Sequence, residues 1–258
     1  MKDSNFTLLD LKDPNTCLEG IWKHIPGHIR LTFVSAVILG LAAHLYAFTN
    51  KLPNLDDTLN LFGTTYGRGS GRWFLPIVMT WDGDYSMPWL IGMLSIFCIA
   101  VAASLTVQIL RIRRPVACII AAGILAAFPS TAETFSYTFS ADSYFLSLAL
   151  AAFGAYAAVS FRRRTNFIMG TLAITLSMGI YQSYFSAAAV LMVGALILEV
   201  LEGNRKISAL FLRGITMVGI LSVSMLLYFL MVSVSLPTGD LTPYMGISEM
   251  GHISIREI

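Results

Sequence analysis

Seven apolar runs of roughly membrane-spanning length dominate this chain: 31–49, 87–110, 116–129, 142–161, 167–181, 183–201 and 207–236. A bilayer core about 30 Å thick takes about 20 apolar residues in helix, and lipid offers no partner for a free peptide N–H or C=O. Barrel strands would alternate apolar and polar positions over about ten residues, whereas these runs are continuously apolar. The chain therefore reads as an all-α integral membrane protein with about seven transmembrane helices. Composition agrees, since 56% of the 258 residues are hydrophobic and 12% are charged, about half the ionic content of a soluble domain. A soluble globular enzyme, a disordered chain and a disulfide-stapled module are excluded. The net charge of +2 includes no basic block suited to nucleic acid.

Where the charges sit gives the topology. Lys23, His24, His28 and Arg30 precede the first run. Arg111, Arg113 and Arg114 separate the second from the third, Arg162, Arg163 and Arg164 the fourth from the fifth, and Arg205, Lys206 and Arg213 surround the last gap. With seven spans all four clusters fall on one side, which the positive-inside rule assigns to the cytoplasm. Residues 1–30 then form a cytoplasmic segment, 31–236 a membrane module, and 237–258 an external tail. Within the first segment, residues 16–27 suit a short helix along the inner surface. No apolar core with a cleavage site precedes the first run, so a cleaved signal peptide is not expected. Glu199 and Glu202 read as surface ion-pair partners of Arg205 and Lys206. His44 reads as a neutral, hydrogen-bonded packing residue.

The external segments hold the polar chemistry. Segment 50–86 carries Asp56, Asp57, Asp82 and Asp84, with Arg68 and Arg72 in a glycine-rich stretch at Gly67, Gly69 and Gly71. Adjacent carboxylates repel, so one can bind a proton more tightly than usual and work as a general base, or the pair can divide base and cation binding. The structural alternative is a helix-capping acid beside a solvated neighbour. Arginine binds phosphate through a planar fork of donors; the alternative for Arg68 and Arg72 is pairing with Asp56 and Asp57 or lipid headgroups. Residues 72–81, with two tryptophans and too few residues to span, suggest an interfacial or re-entrant helix. Segment 130–142 adds Glu133 and Asp142, the latter placed to cap the fourth span or face the same cavity. Gly179-Ile180-Tyr181-Gln182-Ser183-Tyr184 puts phenols and an amide where two helices meet. No P-loop, dinucleotide fingerprint or HExxH zinc motif occurs.

These residues resemble the bacterial glucosyltransferases of the Gtr type II family, membrane glycosyltransferases of the GT-C class. The likeness rests on Asn54, Asp56 and Asp57, on Tyr66-Gly67 and Gly71-Arg72-Trp73, on Ser-Ala-Asp-Ser-Tyr at 140–144, and on Gly-Ile-Tyr-Gln-Ser-Tyr at 179–184. It implies a GT-C-like front module that moves glucose from a polyprenyl-phosphate donor to O-antigen or another cell-surface polysaccharide at the outer face of the bacterial inner membrane. The N-terminus would be cytoplasmic and the C-terminus periplasmic or extracellular. Asp56 or Asp57 would be the catalytic base. Arg72 and Arg68 would bind the donor phosphate, with Tyr66, Trp73, Glu133, Asp142, Tyr181 and Gln182 around the sugar and acceptor. No cofactor is required, although Asp56 and Asp57 suit a Mg or Mn ion. The bilayer, a flippase and a donor synthase are the expected partners.

The family usually continues into further spans, so the chain is expected to lack a C-terminal part. That keeps a truncated, inactive subunit as one alternative. A transporter or flippase for a lipid-linked sugar is the other, and would call for paired ionisable groups or broken helices at mid-membrane.

Overall fold

The computed structural model describes residues 19–20, 22–50, 52, 54, 69–80, 87–160, 163–203 and 205–235. All regular structure among them is α-helical: α1 (Gly27–Thr49), α2 (Leu75–Val78), α3 (Pro88–Ile109), α4 (Pro115–Ala127), α5 (Pro129–Phe135), α6 (Ala141–Ser160), α7 (Arg163–Ile180), α8 (Tyr184–Leu201) and α9 (Ile207–Ser235). Each of the seven apolar runs contains a helix. Three helices open on proline, at Pro88, Pro115 and Pro129, where the missing N–H has no intrahelical partner to lose. Helical residues at 19–20 and 22–24 precede α1, within the expected N-terminal helix.

Five helices, α1, α3, α6, α8 and α9, are long and apolar enough to cross a membrane, and the bent pair α4–α5 makes a sixth. The exception is α7, whose opening turn carries Arg163, Arg164 and Asn166. It nevertheless runs antiparallel along α6. Asn166 Nδ2 donates to the Ala158 carbonyl at 3.1 Å, Gly154 meets Gly170, Ser147 and Ser177 exchange hydroxyl-to-carbonyl bonds at 2.8 and 2.9 Å, and Tyr144 lies 4.9 Å from Tyr181. These four rungs span α6 almost from end to end.

Helix α6 is the hub, packing on α3, α7 and α8, while α1 lies against α3 and α4, and α9 against α7. Many of the residues inside are small: Ala100, Ala103, Ala151, Ala155 and Ala158 are buried, as are Ser147, Ser177 and Ser224, alongside larger ones such as Ile96, Phe145 and Ile174. Large side chains such as Val190, Leu201, Phe211 and Val234 point outward. A water-soluble bundle would reverse this, because water would drive the large apolar groups in. In lipid, close backbone approach and interhelical hydrogen bonds hold helices together instead. The chain is a multi-pass membrane protein.

Three expectations change. Residues 130–135, expected in an external segment, are helical: Pro129 restarts the helix after a 44° bend. The element expected over 72–81 is a single turn, α2, and it does not lie along a surface. Leu75, Val78 and Met79 are buried with Tyr144 and Ile180, because a turn this short gains more by tucking its apolar side chains into the bundle. Lastly, Glu199 is not a surface partner. Its side chain is 1% exposed, with Arg213 at 3.2 Å and Arg111 and Arg205 each at 3.5 Å, since the last turn of α8 faces the end of α3 and the start of α9. Glu202 is at the surface and binds Arg111. Arg111 itself sits at φ 54° just past α3. There Ile112 N–H bonds the Val107 carbonyl and Arg111 N–H the Gln108 carbonyl, a Schellman closure that usually takes glycine. The described basic residues of the interhelical gaps thus gather at one end of the bundle, where His28 also meets Gln108.

Candidate functional site

At the opposite end, residues 69–74 form a loop pinned on both sides of Arg72. Phe74 N–H donates to the Gly179 carbonyl at 2.8 Å, and the Ser70 carbonyl accepts from Gln182 Nε2 at 2.7 Å. Gly71 has φ +78°, a left-handed conformation that disfavours side chains. Gly179 is required by close approach, because a Cβ there would stand 2.7 Å from the Trp73 ring. This explains two of the glycines in the motifs that drew attention to the region.

The loop delivers Arg72 beside two aromatic rings that pack on each other. Arg72 Nη1 donates to the Tyr144 hydroxyl at 2.9 Å, and its Cζ lies 4.9 Å from the Tyr181 ring centre and 5.6 Å from that of Tyr144. Each ring contributes about 0.5–2 kcal/mol of cation–π attraction. Neither neutralises the charge. Among the described residues no carboxylate lies within ion-pairing distance of Arg72, and its Nε is buried with no hydrogen-bond partner. A cation held by neutral groups keeps its capacity for an anion.

Arg72 opens onto a cavity of about 910 Å³, within the size range of small-molecule sites. Its polar end holds Ser70, Arg72, Glu133, Tyr137, Tyr144, Tyr181 and Tyr184; the remainder is mainly apolar, lined by Ile124, Leu125, Phe128, Leu148, Val190 and Leu191, with Thr106 of α3 also in the wall. Helices α4 and α8 supply opposing walls rather than packing together. The bend between α4 and α5 places Glu133 there. Pro129 removes the N–H that the Leu125 carbonyl would accept, and Thr131 Oγ1 replaces it at 2.9 Å. His44 Nε2 donates to the next free carbonyl, Ala126, at 2.8 Å, so His44 is the hydrogen-bonded packing residue expected.

The other expected site residues divide. Tyr181 lines the cavity beside Arg72, and Glu133 lines it from α5. Gln182 lies behind the loop, with its amide on Ser70 and on the Tyr228 hydroxyl at 2.8 Å. Trp73 packs on Gly179 and Phe74 in the bundle. Asp142 is buried in the first turn of α6, its Oδ1 accepting from Ser143 N–H at 2.7 Å, and is absent from the cavity wall. Asp142 and Tyr144 are two residues apart on one helix, so they cannot face the same way. Asp56, Asp57, Tyr66 and Arg68 lie outside the described residues. Among the described residues no group of three His, Cys, Asp or Glu side chains could hold a metal. Two tyrosines had not been singled out: Tyr144, whose signal was its place in the 140–144 motif, and Tyr228, a lone phenol inside an apolar run.

An arginine with polar neighbours in a cavity whose remaining wall is mainly apolar suits an amphipathic anion. Comparison with known families agrees in kind: the model of the glucosyl transferase GtrII family matches residues 45–258. No curated protein and no solved structure matches the chain. The match spans most of the sequence and includes every element of the cavity, and the chain belongs to the GtrII glucosyl transferase family, whose members are glycosyltransferases of cell-surface glycan modification.

Proposed function

We propose that this membrane transferase moves glucose from a polyprenyl-phosphate donor to O-antigen or another cell-surface polysaccharide at the outer face of the inner membrane, with the N-terminus cytoplasmic. The observation that carries the reading is Arg72, held by two tyrosines and without a described carboxylate partner, at the polar end of a cavity whose remaining wall is mainly apolar. A lipid phosphate has both characters. Its prenyl chain suits the wall formed by Ile124, Phe128, Val190 and Leu191, its phosphate suits the guanidinium, and the tyrosine faces suit a sugar ring.

In the reaction the acceptor hydroxyl loses its proton to a carboxylate and its oxygen bonds to the glucose anomeric carbon. The bond from that carbon to the phosphate oxygen breaks, and polyprenyl phosphate leaves with the electron pair. Arg72 stabilises the charge that grows on the phosphate, a contribution of a few kcal/mol for one well-placed donor. Asp56 or Asp57 supplies the base, with Glu133 binding acceptor hydroxyls from α5. A Mg or Mn ion on the aspartates would add to Arg72 without replacing it. Expression in a host that makes the lipid-linked donor tests the reading. Wild type should add glucose to the surface polysaccharide, and Arg72→Ala and the double variant Asp56→Asn/Asp57→Asn should not. Unchanged transfer by all variants would remove the assigned site; no transfer by wild type would favour a transporter or an inactive subunit.

A further inference from the structure

Gln182 does not line the cavity, yet its side-chain amide holds two separate elements. One N–H of Nε2 points to the Ser70 carbonyl at 2.7 Å and the other to the Tyr228 hydroxyl at 2.8 Å. Gln182 belongs to the short link between α7 and α8, Ser70 to the loop that presents Arg72, and Tyr228 to the buried side of α9. The Tyr228 hydroxyl also fills the space beside Gly71, where a Cβ would come within 2.6 Å of it. Two residues before Arg72 the loop is therefore held by Gln182, and at Gly71 its left-handed turn is pressed against Tyr228. Two residues after Arg72 the Phe74 bond to Gly179 completes the frame.

Resting on the reading of Arg72 as the donor-phosphate ligand, we infer that Gln182 and Tyr228 are positioning residues for polyprenyl-phosphate binding: together they lock loop 69–72 so that the guanidinium stays against the Tyr144 and Tyr181 rings and faces the cavity. The inference follows from geometry and hydrogen-bond arithmetic. A carboxamide offers two N–H donors on one nitrogen, and both are used, one on the loop and one on a helix more than 150 residues further along the chain. Glutamate has the same shape and no donor, so at this position it would set a carboxylate against the Ser70 carbonyl. Misplacing a binding group by about 1 Å costs on the order of a hundredfold in rate, so a clamp remote from the reacting atoms can matter as much as a contact.

The test uses full-length protein in detergent micelles and radiolabelled polyprenyl phosphate, which contains no sugar and so reports the phosphate site alone. Gln182→Glu should weaken its binding at least tenfold, and Tyr228→Phe, which keeps the ring, three- to tenfold, each with a thermal midpoint within a few degrees of wild type. In an Arg72→Ala background neither change should weaken binding further, because the clamp acts only through Arg72. Binding by a folded Gln182→Glu or Tyr228→Phe protein as tight as wild type overturns the inference while leaving the Arg72 assignment intact. So does a further equal loss in the Arg72→Ala background. If Arg72→Ala alone binds polyprenyl phosphate as wild type does, the reading of Arg72 fails, and the clamp's purpose with it. A simple packing role would lower the thermal midpoint and the folded yield with the affinity of the folded fraction unchanged.

Discussion

The two ends of this bundle treat arginine in opposite ways. At one end Arg111, Arg205 and Arg213 converge on the buried carboxylate of Glu199, and Glu202 takes a second bond from Arg111. At the other, Arg72 is held by tyrosine rings and a hydroxyl, and its charge meets no carboxylate among the described residues. In the first arrangement three guanidiniums share two carboxylates, and the cluster joins the ends of α3 and α8 to the start of α9. The second has no carboxylate partner among the described residues and opens on a cavity. Arginines that share buried carboxylates mark architecture, and an arginine held by neutral groups beside a cavity marks a place for a ligand.

The comparison breaks most visibly if the matched end proves dispensable for stability. Glu199→Ala leaves three arginines without their shared partner, and the expected loss is about 3 kcal/mol, the lower part of the range for removing one side of a buried pair because the arginines retain some water. A thermal melt in detergent should show the midpoint falling by several degrees, with transfer per folded molecule unchanged. Arg72→Ala should do the reverse, lowering transfer by about a hundredfold with little change in midpoint. Arg72→Lys should recover little of that loss, since an ammonium gives neither the planar fork nor the same stacking.

Much of this fold was legible in the run pattern, because lipid demands about 20 apolar residues per crossing. Each of the seven runs holds a helix, five or six of these long and apolar enough to cross a membrane, and α7, too polar by composition to be counted with them, packs along α6. What the pattern could not show was distance between remote segments. Arg72, Tyr144 and Tyr181 are separated by dozens of residues and meet only because α6 and α7 run antiparallel and the loop folds back on Gly179. Helical phase was equally hidden: Asp142 and Tyr144 share one motif, and only the tyrosine reaches the cavity wall. Gln182 stands out in the sequence for its amide, but nothing there shows that Ser70 and Tyr228 are its partners.

Smaller effects sharpen the contrast. His44 and Thr131 serve the matched logic within the cavity's own wall, since they satisfy the carbonyls freed by Pro129. His44→Ala should destabilise the protein by about 1–3 kcal/mol, the cost of a buried acceptor left unmade, read as a lower midpoint. Loosening of the α4–α5 bend should follow as faster hydrogen exchange at residues 129–135. The smallest expected effect is at Arg111. Its left-handed backbone costs a non-glycine residue about 1–2 kcal/mol, so Arg111→Gly recovers strain as it loses the ion pairs, whereas Arg111→Ala loses the pairs and keeps the strain. Arg111→Ala should melt below Arg111→Gly by a few degrees, and the opposite order would show that the turn is not strained.

The central claim is that Arg72 serves a lipid-phosphate sugar donor. Purified wild-type and Arg72→Ala proteins, each given radiolabelled polyprenyl-phosphate-glucose or UDP-glucose with polysaccharide acceptor, test it most directly. The account predicts label in the acceptor only from the lipid donor and only with wild type. Equal transfer by Arg72→Ala, or transfer from UDP-glucose in place of the lipid, would contradict it.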